Sequence, residues 1–280
     1  MSQLMQAEIT GHSSPASGVY MIELFSPEVA AGARPGQFLH IRCGEPGVHL
    51  LRRPISIHAV NRNAGLVRIM FQVAGRGTAL LAQKQDGLLD IMGPLGHGFT
   101  LNQARHKDKN PTLAESSGGR DQPGSIIVAG GGIGAAPLFF LLQELAATEA
   151  APRVKVLLGA ARAALLLTVE QAVALGFGVQ IATDDGSAGF PGLVTYLLAE
   201  ELRHKTDFVY ACGPAPMLRT VCTLLERAGT PGEVSLEERM ACGVGACLSC
   251  VCRVRPAGGS ELHQRVCVDG PVFSAAEVAW

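Results

Sequence analysis

Four cysteines near the end of the sequence have the spacing to hold an iron–sulfur cluster. They are Cys242, Cys247, Cys250 and Cys267. Their order, C-x4-C-x2-C and then a fourth cysteine after a gap, is the plant-type [2Fe–2S] spacing, because two irons need two thiolates each. A tight loop can deliver three thiolates, and a return strand brings the fourth. Gly243 and Gly245 let this loop fold around the cluster, since glycine reaches positive φ without a Cβ clash.

Two other uses of these cysteines are weighed against the cluster. A structural zinc site usually takes two separated C-x2-C pairs, and the sequence holds one such pair. A disulfide framework is less favoured still in a chain of 280 residues whose start lacks the pattern of a secretion signal. Cys252 follows Cys250 by two residues, so both face one side of a strand. We interpret Cys252 as a packed thiol behind the cluster, with a ligand role left open.

The first hundred residues predict an antiparallel β-barrel. Runs of β-forming residues occur at 19–24, 38–42, 55–60 and 66–73. Turn signals separate these runs, for example the Arg-Pro-Gly-Gln segment at 34–37. Short strands at this spacing are typical of a barrel.

Two segments of the predicted barrel can together hold a dinucleotide. Arg53 offers a fork suited to phosphate, just before Pro54, and Ser56 can hydrogen-bond the edge of a flavin ring. Residues 75–78 form a glycine-rich turn into a helix, which is a ready anion site. Each signal is weak alone, since an Arg-Pro pair is usually only a strand edge. Together they predict a flavin dinucleotide site with its pyrophosphate between Arg53 and the helix start at Gly77 and Thr78.

From residue 125 to about 232, strands and helices alternate. Strands are predicted at 125–129, 154–158, 179–182 and 208–212, and helices at 135–145, 193–202 and 215–227. Thr168 with Gln171 three residues later resembles a capping box that opens a further helix. The alternation implies a parallel sheet covered by helices on both faces.

Three loops of this second unit fall at the carboxyl ends of its strands, where parallel sheets bind ligands. The glycine loop at 130–134 lies between a strand and a helix, a context that suits a dinucleotide phosphate, although a purely structural junction is the alternative. The candidate residues are Gly131, Gly132, Gly134, Asp184, Cys212, Gly213 and Pro214. Cys212 would lie near the edge of the nicotinamide ring. The other interpretation is that Cys212 is a small apolar residue that packs in the core.

Composition and charge narrow the class of protein. The formal net charge of −1, with scattered Lys and Arg, gives no electrostatic reason to expect nucleic acid or a membrane surface. No apolar run reaches transmembrane length. Eight cysteines without a signal sequence predict a reducing cytoplasm and metal or redox use.

The chain is predicted to have four parts. They are a β-barrel at 1–101, a polar linker or insertion at 102–124, an α/β domain at 125–232 and a cluster domain at 233–280. We interpret the polar part as a solvated insertion, with a lid or a partner-binding segment as the alternative.

These motifs together resemble the ferredoxin–NADP reductase superfamily. The resemblance rests on the Arg-Pro-Ile-Ser segment at 53–56, the glycine loop at 130–134 and the Cys-Gly-Pro segment at 212–214. The cysteine block at 238–250, with 265–273, closely resembles the electron-transfer subunits of class 1B dihydroorotate dehydrogenases. Nearly the whole chain takes part, except 102–124.

The resemblance implies three cofactors, with NAD on the α/β domain and a [2Fe–2S] cluster on the four cysteines. FAD would lie on the barrel, with hydride transfer at the flavin near Ser56 and Cys212. The implied FAD contacts are Arg53, Pro54, Ile55, Ser56, Met70, Phe71, Gln72, Gly77 and Thr78.

The resemblance also implies a relay in pyrimidine biosynthesis. An FMN-containing catalytic subunit would oxidise dihydroorotate, and its electrons would pass through the cluster and FAD of this chain to NAD+. A heterotetramer of two subunits of each kind is expected, with the cluster near the subunit interface. Two alternatives stay open. One is a flavin subunit of an NAD(P)-linked hydrogenase or ferredoxin:NAD(P) oxidoreductase, and the other is a redox sensor or scaffold without hydride transfer.

Overall fold

Six antiparallel strands of the amino-terminal part close into a barrel. A computed structural model describes residues 3–44, 50–101, 124–256 and 258–280, so the predicted insertion lies outside the described residues except for Gly124. The barrel strands are β1 (Gln3–Ala16), β2 (Val19–Phe25), β3 (Phe38–Ile41), β4 (Arg53–Asn61), β5 (Leu66–Gln72) and β6 (Leu88–Leu95). Their order is β1, β2, β5, β4, β3, β6, and β6 pairs back onto β1. The barrel prediction is confirmed.

The alternation of buried and partly exposed residues along the barrel wall is clearest in β6. In β6 every second residue from Leu89 to Leu95 is buried, as the pleat of a strand requires. Two short helices, α1 (Pro27–Gly32) and α2 (Arg76–Ala82), connect the strands. The helix predicted after Gly75 is α2, and the Thr78 hydroxyl folds its first turn by accepting the N–H groups of Ala74 at 2.9 Å and Gly75 at 3.2 Å.

The remaining strands form a seven-stranded sheet and a separate hairpin. They are β7 (Ser125–Gly131), β8 (Val154–Ala160), β9 (Gly178–Thr183), β10 (Phe190–Pro191), β11 (Thr206–Cys212), β12 (Gly232–Ser235), β13 (Val251–Val254), β14 (Leu262–Arg265) and β15 (Val272–Ser274). The sheet order is β10, β9, β8, β7, β11, β12, β15, and β15 alone runs antiparallel. The hairpin pairs β13 with β14.

Helices cover both faces of the sheet, as the alternating pattern predicts. They are α3 (Ala135–Ala146), α4 (Val169–Ala174), α5 (Val194–Glu201) and α6 (Ala215–Ala228). Ile126 and Val128 of β7 pack in one core with α3 and α4, while Ile127 and Ala129 pack in a second core with α5 and α6. None of the helices in the described ranges has the length and apolar character needed to cross a bilayer.

The capping box predicted at Thr168 is wrong, although helix α4 begins at the next residue. Thr168 has φ of 64° and makes no side-chain cap hydrogen bond. Its hydroxyl instead donates to the Leu167 carbonyl at 2.7 Å. A left-handed residue turns its side chain away from the first helical N–H groups, so the capping geometry cannot form.

The carboxy-terminal segment is joined to the sheet by two strands. β12 continues the sheet beyond β11, with Val209 opposite Gly232 and Cys212 opposite Ser235. β15 then pairs with β12, with Val234 opposite Phe273. The cluster domain predicted at 233–280 therefore shares backbone hydrogen bonds with the α/β sheet.

His58 of β4 fixes the barrel against helix α3. Its imidazole is fully buried, stacks on Phe139, and its Nδ1 lies 2.7 Å from the Ala136 carbonyl oxygen. Burial lowers the pKa of His58 to about 4, Arg68 adds to the fall, and the contacts with Ala136 and Gln171 oppose it. The ring is therefore held in its neutral form at the junction of the two units.

We expect His58 to destabilise the fold as the solution is acidified. The unfolded chain binds this proton near pH 6.5 and the folded chain only near pH 4, so the free energy of unfolding falls as the pH drops through that window. The full effect is about 3 kcal/mol. Urea denaturation of the wild type and of His58→Phe, at pH 7 and pH 4.5, measures it. An equal loss of stability in both proteins would contradict this role.

Candidate cofactor sites

The four predicted cluster cysteines come together through one loop and one hairpin. Cys250 immediately precedes β13 and Cys267 follows β14 by two residues, and the Val266 N–H donates to the Cys250 carbonyl at 2.9 Å. Both thiols are buried, whereas Cys242 is half-buried and Cys247 is exposed. The hairpin therefore supplies the inner side of the site and the loop its outer side.

The four thiols form two pairs. Cys242 lies next to Cys247, and Cys250 lies next to Cys267. In the part of the chain that the structure describes, no three His, Cys, Asp or Glu side chains are grouped to hold a single metal ion. A [2Fe–2S] cluster does not need such a group, because each iron takes two thiolates.

The outer and inner thiols differ in acidity. Hydrogen bonding to Ser249, whose hydroxyl oxygen lies 3.2 Å from the sulfur, lowers the pKa of Cys247 to about 6. Burial raises the pKa of Cys267 to about 12, and the neighbouring Cys250 adds to this rise. The thiolate is the form that binds metal. Cys247 is ready to ligate at neutral pH, whereas Cys267 needs the positive charge of iron beside it.

Two glycines, Gly243 and Gly245, let the loop curve into a cradle, because a larger residue at either position would be strained. Gly243 has φ of 72° and Gly245 has φ of 79°. A Cβ on Gly243 would lie 2.6 Å from His40 Nδ1, and one on Gly245 would lie 2.9 Å from Val268 Cγ2. The paired thiols and this cradle fit a cluster.

Arg265 holds the cradle to the hairpin, a role that the sequence prediction missed. Its guanidinium donates to the Asp269 carboxylate at 2.9 and 3.0 Å and to the Gly245 carbonyl at 3.4 Å. The sequence feature that could have indicated this role is the spacing of Arg265 and Asp269, which lie four residues apart on either side of Cys267. Cys252 is half-buried on β13, and burial raises the pKa of its thiol to about 11.

A cavity of about 350 Å³ lies where the flavin is predicted. Seven predicted contacts line it, namely Pro54, Ile55, Ser56, Met70, Phe71, Gln72 and Thr78. Its opposite wall comes from the carboxy-terminal segment, which the sequence prediction did not assign to this site. That wall consists of Ser235, Leu236, Glu237, Glu238, Met240 and Pro271.

Arg53 and Gly77, the two remaining predicted flavin contacts, lie against each other and are not among the residues that line this cavity. A Cβ on Gly77 would lie 2.6 Å from Arg53 Nε, so a larger residue at this point of helix α2 would displace the guanidinium. Arg53 is anchored by donating to the Leu51 carbonyl at 2.9 Å and the Arg52 carbonyl at 3.2 Å. This places a fixed positive charge beside the start of α2, which suits a pyrophosphate.

A second cavity, of about 450 Å³, lies at the carboxyl ends of the parallel strands. Four of the predicted nucleotide residues, Gly131, Gly132, Asp184 and Pro214, line it. Apolar residues that the prediction missed complete it, among them Leu165, Leu167, Val194, Pro216 and Met217. Asp184 is the charged residue of this lining, and none of the described lining residues is Lys or Arg.

Three predicted nucleotide residues lie behind this cavity rather than on its wall. A Cβ on Gly134 would lie 2.5 Å from the Gly213 main chain, so these two glycines let the two loops touch. Cys212 is 1% exposed and packs in the core beside helix α3. Its contact with the nicotinamide stays a prediction.

The two cavities and the cysteine loop are contiguous. Gln72 and Ile133 line both cavities. Met240, on the far wall of the flavin cavity, lies two residues before Cys242. A molecule in the first cavity would therefore stand between a molecule in the second and the four thiols.

This chain is similar to known proteins both in sequence and in fold. A family model described as the iron–sulfur cluster binding domain of dihydroorotate dehydrogenase B matches residues 237–279. The dihydroorotate dehydrogenase B (NAD(+)) electron transfer subunit of Desulforamulus reducens is 44% identical and is aligned over 100% of both chains. That of Geobacillus thermodenitrificans is also 44% identical, over 94% of this chain and 93% of its own.

Two solved structures share the fold. An NADH-dependent reduced ferredoxin–NADP oxidoreductase superposes with a TM-score of 0.78 at 28% identity, covering 100% of this chain and 92% of its own. A ferredoxin NADP+ reductase from Neisseria gonorrhoeae, with bound FAD and NADP, gives 0.62 at 17% identity, over 84% of this chain and 94% of its own.

The barrel, the parallel α/β sheet and the four-cysteine domain give this chain the fold of the ferredoxin–NADP oxidoreductase that it resembles at 28% identity, with the iron–sulfur domain that the family model matches. Within that fold, the full-length identity is decisive. The chain belongs to the family of dihydroorotate dehydrogenase B (NAD(+)) electron transfer subunits.

Proposed function

We propose that this chain is the electron transfer subunit of an NAD-dependent dihydroorotate dehydrogenase in de novo pyrimidine (UMP) biosynthesis. The relay runs from the FMN of a catalytic partner subunit, through a [2Fe–2S] cluster and FAD on this chain, to NAD+. A flavin exchanges electrons singly or as a hydride, so its place is between a one-electron cluster and a nicotinamide. Oxidation of dihydroorotate itself belongs to the partner.

The order of the three sites carries this proposal. The cysteine loop, the flavin cavity and the nucleotide cavity follow one another, with Met240 adjoining the loop and with Gln72 and Ile133 shared by the two cavities. This is the order that a relay from a cluster to a nicotinamide requires. The full-length relatives carry the name of that activity.

Each site residue takes a role from its position. The four cysteines ligate iron, Arg53 and the start of α2 hold the pyrophosphate, and the strands β4 and β5 hold the flavin ring. Ser56, half-buried on the cavity wall, is the candidate hydrogen-bond partner of the ring edge. Gly131 and Gly132, at the carboxyl end of β7, leave room for the nicotinamide nucleotide.

The alternative of a hydrogenase or ferredoxin:NAD(P) oxidoreductase subunit is not favoured. The structure of that kind which resembles this chain is 28% identical, against 44% for the dihydroorotate dehydrogenase subunits. A cytoplasmic location is proposed because none of the eight cysteines, all of them in the described ranges, forms a disulfide, which is the state that a reducing compartment maintains. The heterotetramer remains a prediction.

Asp184 is expected to select NAD over NADP. Its carboxylate can accept a hydrogen bond from the ribose 2′-hydroxyl, whereas a 2′-phosphate would meet a negative charge. We expect Asp184→Ala to lower the ratio of kcat/KM for NADH over that for NADPH by at least about tenfold, since a hydrogen bond to a charged group contributes about 1.5–3 kcal/mol. Asp185→Ala is the matched control, because Asp185 bonds Ser187 instead. An unchanged ratio in Asp184→Ala would refute this role.

An anaerobic titration with NADH tests the proposed function. We expect the flavin absorbance to bleach and an EPR signal of a reduced [2Fe–2S] cluster to grow at low temperature. Adding the catalytic subunit and dihydroorotate should then reduce NAD+. Bound flavin that NADH does not bleach would contradict hydride transfer and favour a sensor or scaffold.

A further inference from the structure

His40 is a buried histidine whose ring lacks a hydrogen-bond partner among the described residues. It lies on β3 with an exposed fraction of 0%. Neither Nδ1 nor Nε2 makes a hydrogen bond within the described ranges. Folded proteins rarely leave a buried polar atom unpaired, because its desolvation is then uncompensated. We therefore expect the ring to have a hydrogen-bond partner that the described residues do not supply.

The ring lies against the cysteine loop. A Cβ on Gly243 would stand 2.6 Å from Nδ1 and 3.2 Å from Cε1. The main chains of Arg52 and Cys242 also lie beside the ring, but neither meets the distance and angle of a hydrogen bond to it. In the ladder of β3 and β4, His40 is paired with Pro54, and Pro54 lines the flavin cavity. His40 is thus a neighbour both of a residue of the flavin cavity and of the loop that carries Cys242.

We propose that His40 donates an N–H hydrogen bond to the sulfur of the cluster at its Cys242 corner. The inference rests on the proposed function, because a cluster must be present to accept the bond. An imidazole carries at least one N–H in any protonation state, and thiolate and sulfide sulfurs are acceptors. Gly243 would then serve a second purpose besides its positive φ, since any side chain there would displace the donor ring.

This bond makes His40 a positioning residue that also tunes the cluster. Reduction adds negative charge to the cluster, so an N–H donor stabilises the reduced form and raises the reduction potential. Because the ring is on the barrel and the ligands are on the carboxy-terminal domain, the same bond fixes the cluster to the flavin-binding unit. Its removal should change the potential more than the iron content.

An EPR-monitored redox titration of the full chain tests the proposal. We expect His40→Leu, which fills the space without a donor, to lower the ratio of reduced to oxidised cluster at a fixed potential by about tenfold, or about 59 mV for one electron. His40→Asn places an amide N–H near the Nδ1 position and should restore most of that ratio. The matched control is His58→Leu, which removes an equally buried barrel histidine that is bonded to Ala136 instead.

The outcomes separate the two proposals. A wild-type protein without a [2Fe–2S] signal would defeat the proposed function itself. If the wild type gives the signal but His40→Leu leaves the potential unshifted, only the role of His40 is refuted. A buried water would then be the hydrogen-bond partner of the ring. A shift of equal size in His58→Leu would also overturn the role of His40.

Pulsed EPR of the wild type decides the matter if the variants lose their iron. Protein labelled with ¹⁵N in histidine alone should show a weak ¹⁵N coupling to the reduced cluster, as a ring nitrogen bonded to its sulfur produces. The exposed His97, whose main-chain N–H donates to the Gly270 carbonyl, is another histidine to exclude, so the coupling should persist in His97→Gln. No histidine coupling in the wild type would refute the bond.

Discussion

Replacing Cys247 by serine will remove the cluster and stop dihydroorotate-dependent reduction of NAD+, while NADH still bleaches the flavin. Cys247 is the exposed member of the outer thiol pair, and its thiol has a pKa of about 6. Because each iron takes two thiolates, the loss of Cys247 leaves one iron with a single thiolate. We expect the coupled rate to fall at least about a hundredfold, because changes even outside the ligand shell of a metal site cost 10–100-fold. Iron content and NADH bleaching, measured on one preparation, separate cluster loss from flavin loss.

Cys252→Ser is the matched control. Cys252 lies close to the inner pair, but it is half-buried in the core side of the hairpin and is not one of the four paired thiols. Iron content and the coupled rate should stay near those of the wild type. Iron lost from Cys252→Ser but retained in Cys247→Ser would exchange the two assignments.

The cluster site could be predicted from the sequence because its geometry is local. Three ligands share one loop, and the fourth is delivered by the β13–β14 hairpin, which pairs Val251 with Arg265. The flavin contacts on the barrel were predictable for a related reason. Antiparallel neighbours bring β4 and β5 together, with Ile57 opposite Ile69, so motifs close in the chain remain close in space.

The far wall of the flavin cavity could not be predicted in this way. Residues 235–240 reach the cavity only because β12 joins the sheet beside β11 and β15 closes on β12. Such pairings depend on contacts between distant parts of the chain, and no local sequence pattern in Gly232–Ser235 predicts them.

Glycines show the same limit at smaller scale. Gly131, Gly132 and Gly134 were all predicted to contact the nucleotide, yet Gly131 and Gly132 line the cavity while Gly134 packs on Gly213. A glycine permits close approach in either case, and only the tertiary packing decides whether a ligand or a neighbouring loop makes that approach.

Replacing Arg53 by alanine will strip FAD from the protein. The guanidinium is held over Gly77 by two main-chain carbonyls, so its charge is positioned before the ligand arrives. A hydrogen bond to a charged group contributes about 1.5–3 kcal/mol, which corresponds to about 10–150-fold weaker binding. Flavin absorbance per protein, after extensive dialysis and after back-titration with FAD, measures the loss.

Two further variants separate the charge from the shape of this contact. Arg53→Lys keeps the positive charge but lacks the planar fork, so its affinity for FAD should lie between those of the wild type and Arg53→Ala. Arg68→Ala removes a barrel arginine that is paired with Glu23 at 2.7 Å and should retain its flavin. Wild-type flavin content in Arg53→Ala would move the pyrophosphate away from the start of α2. Equal losses in Arg53→Ala and Arg68→Ala would mean that a weakened barrel, and not a missing phosphate contact, releases the cofactor.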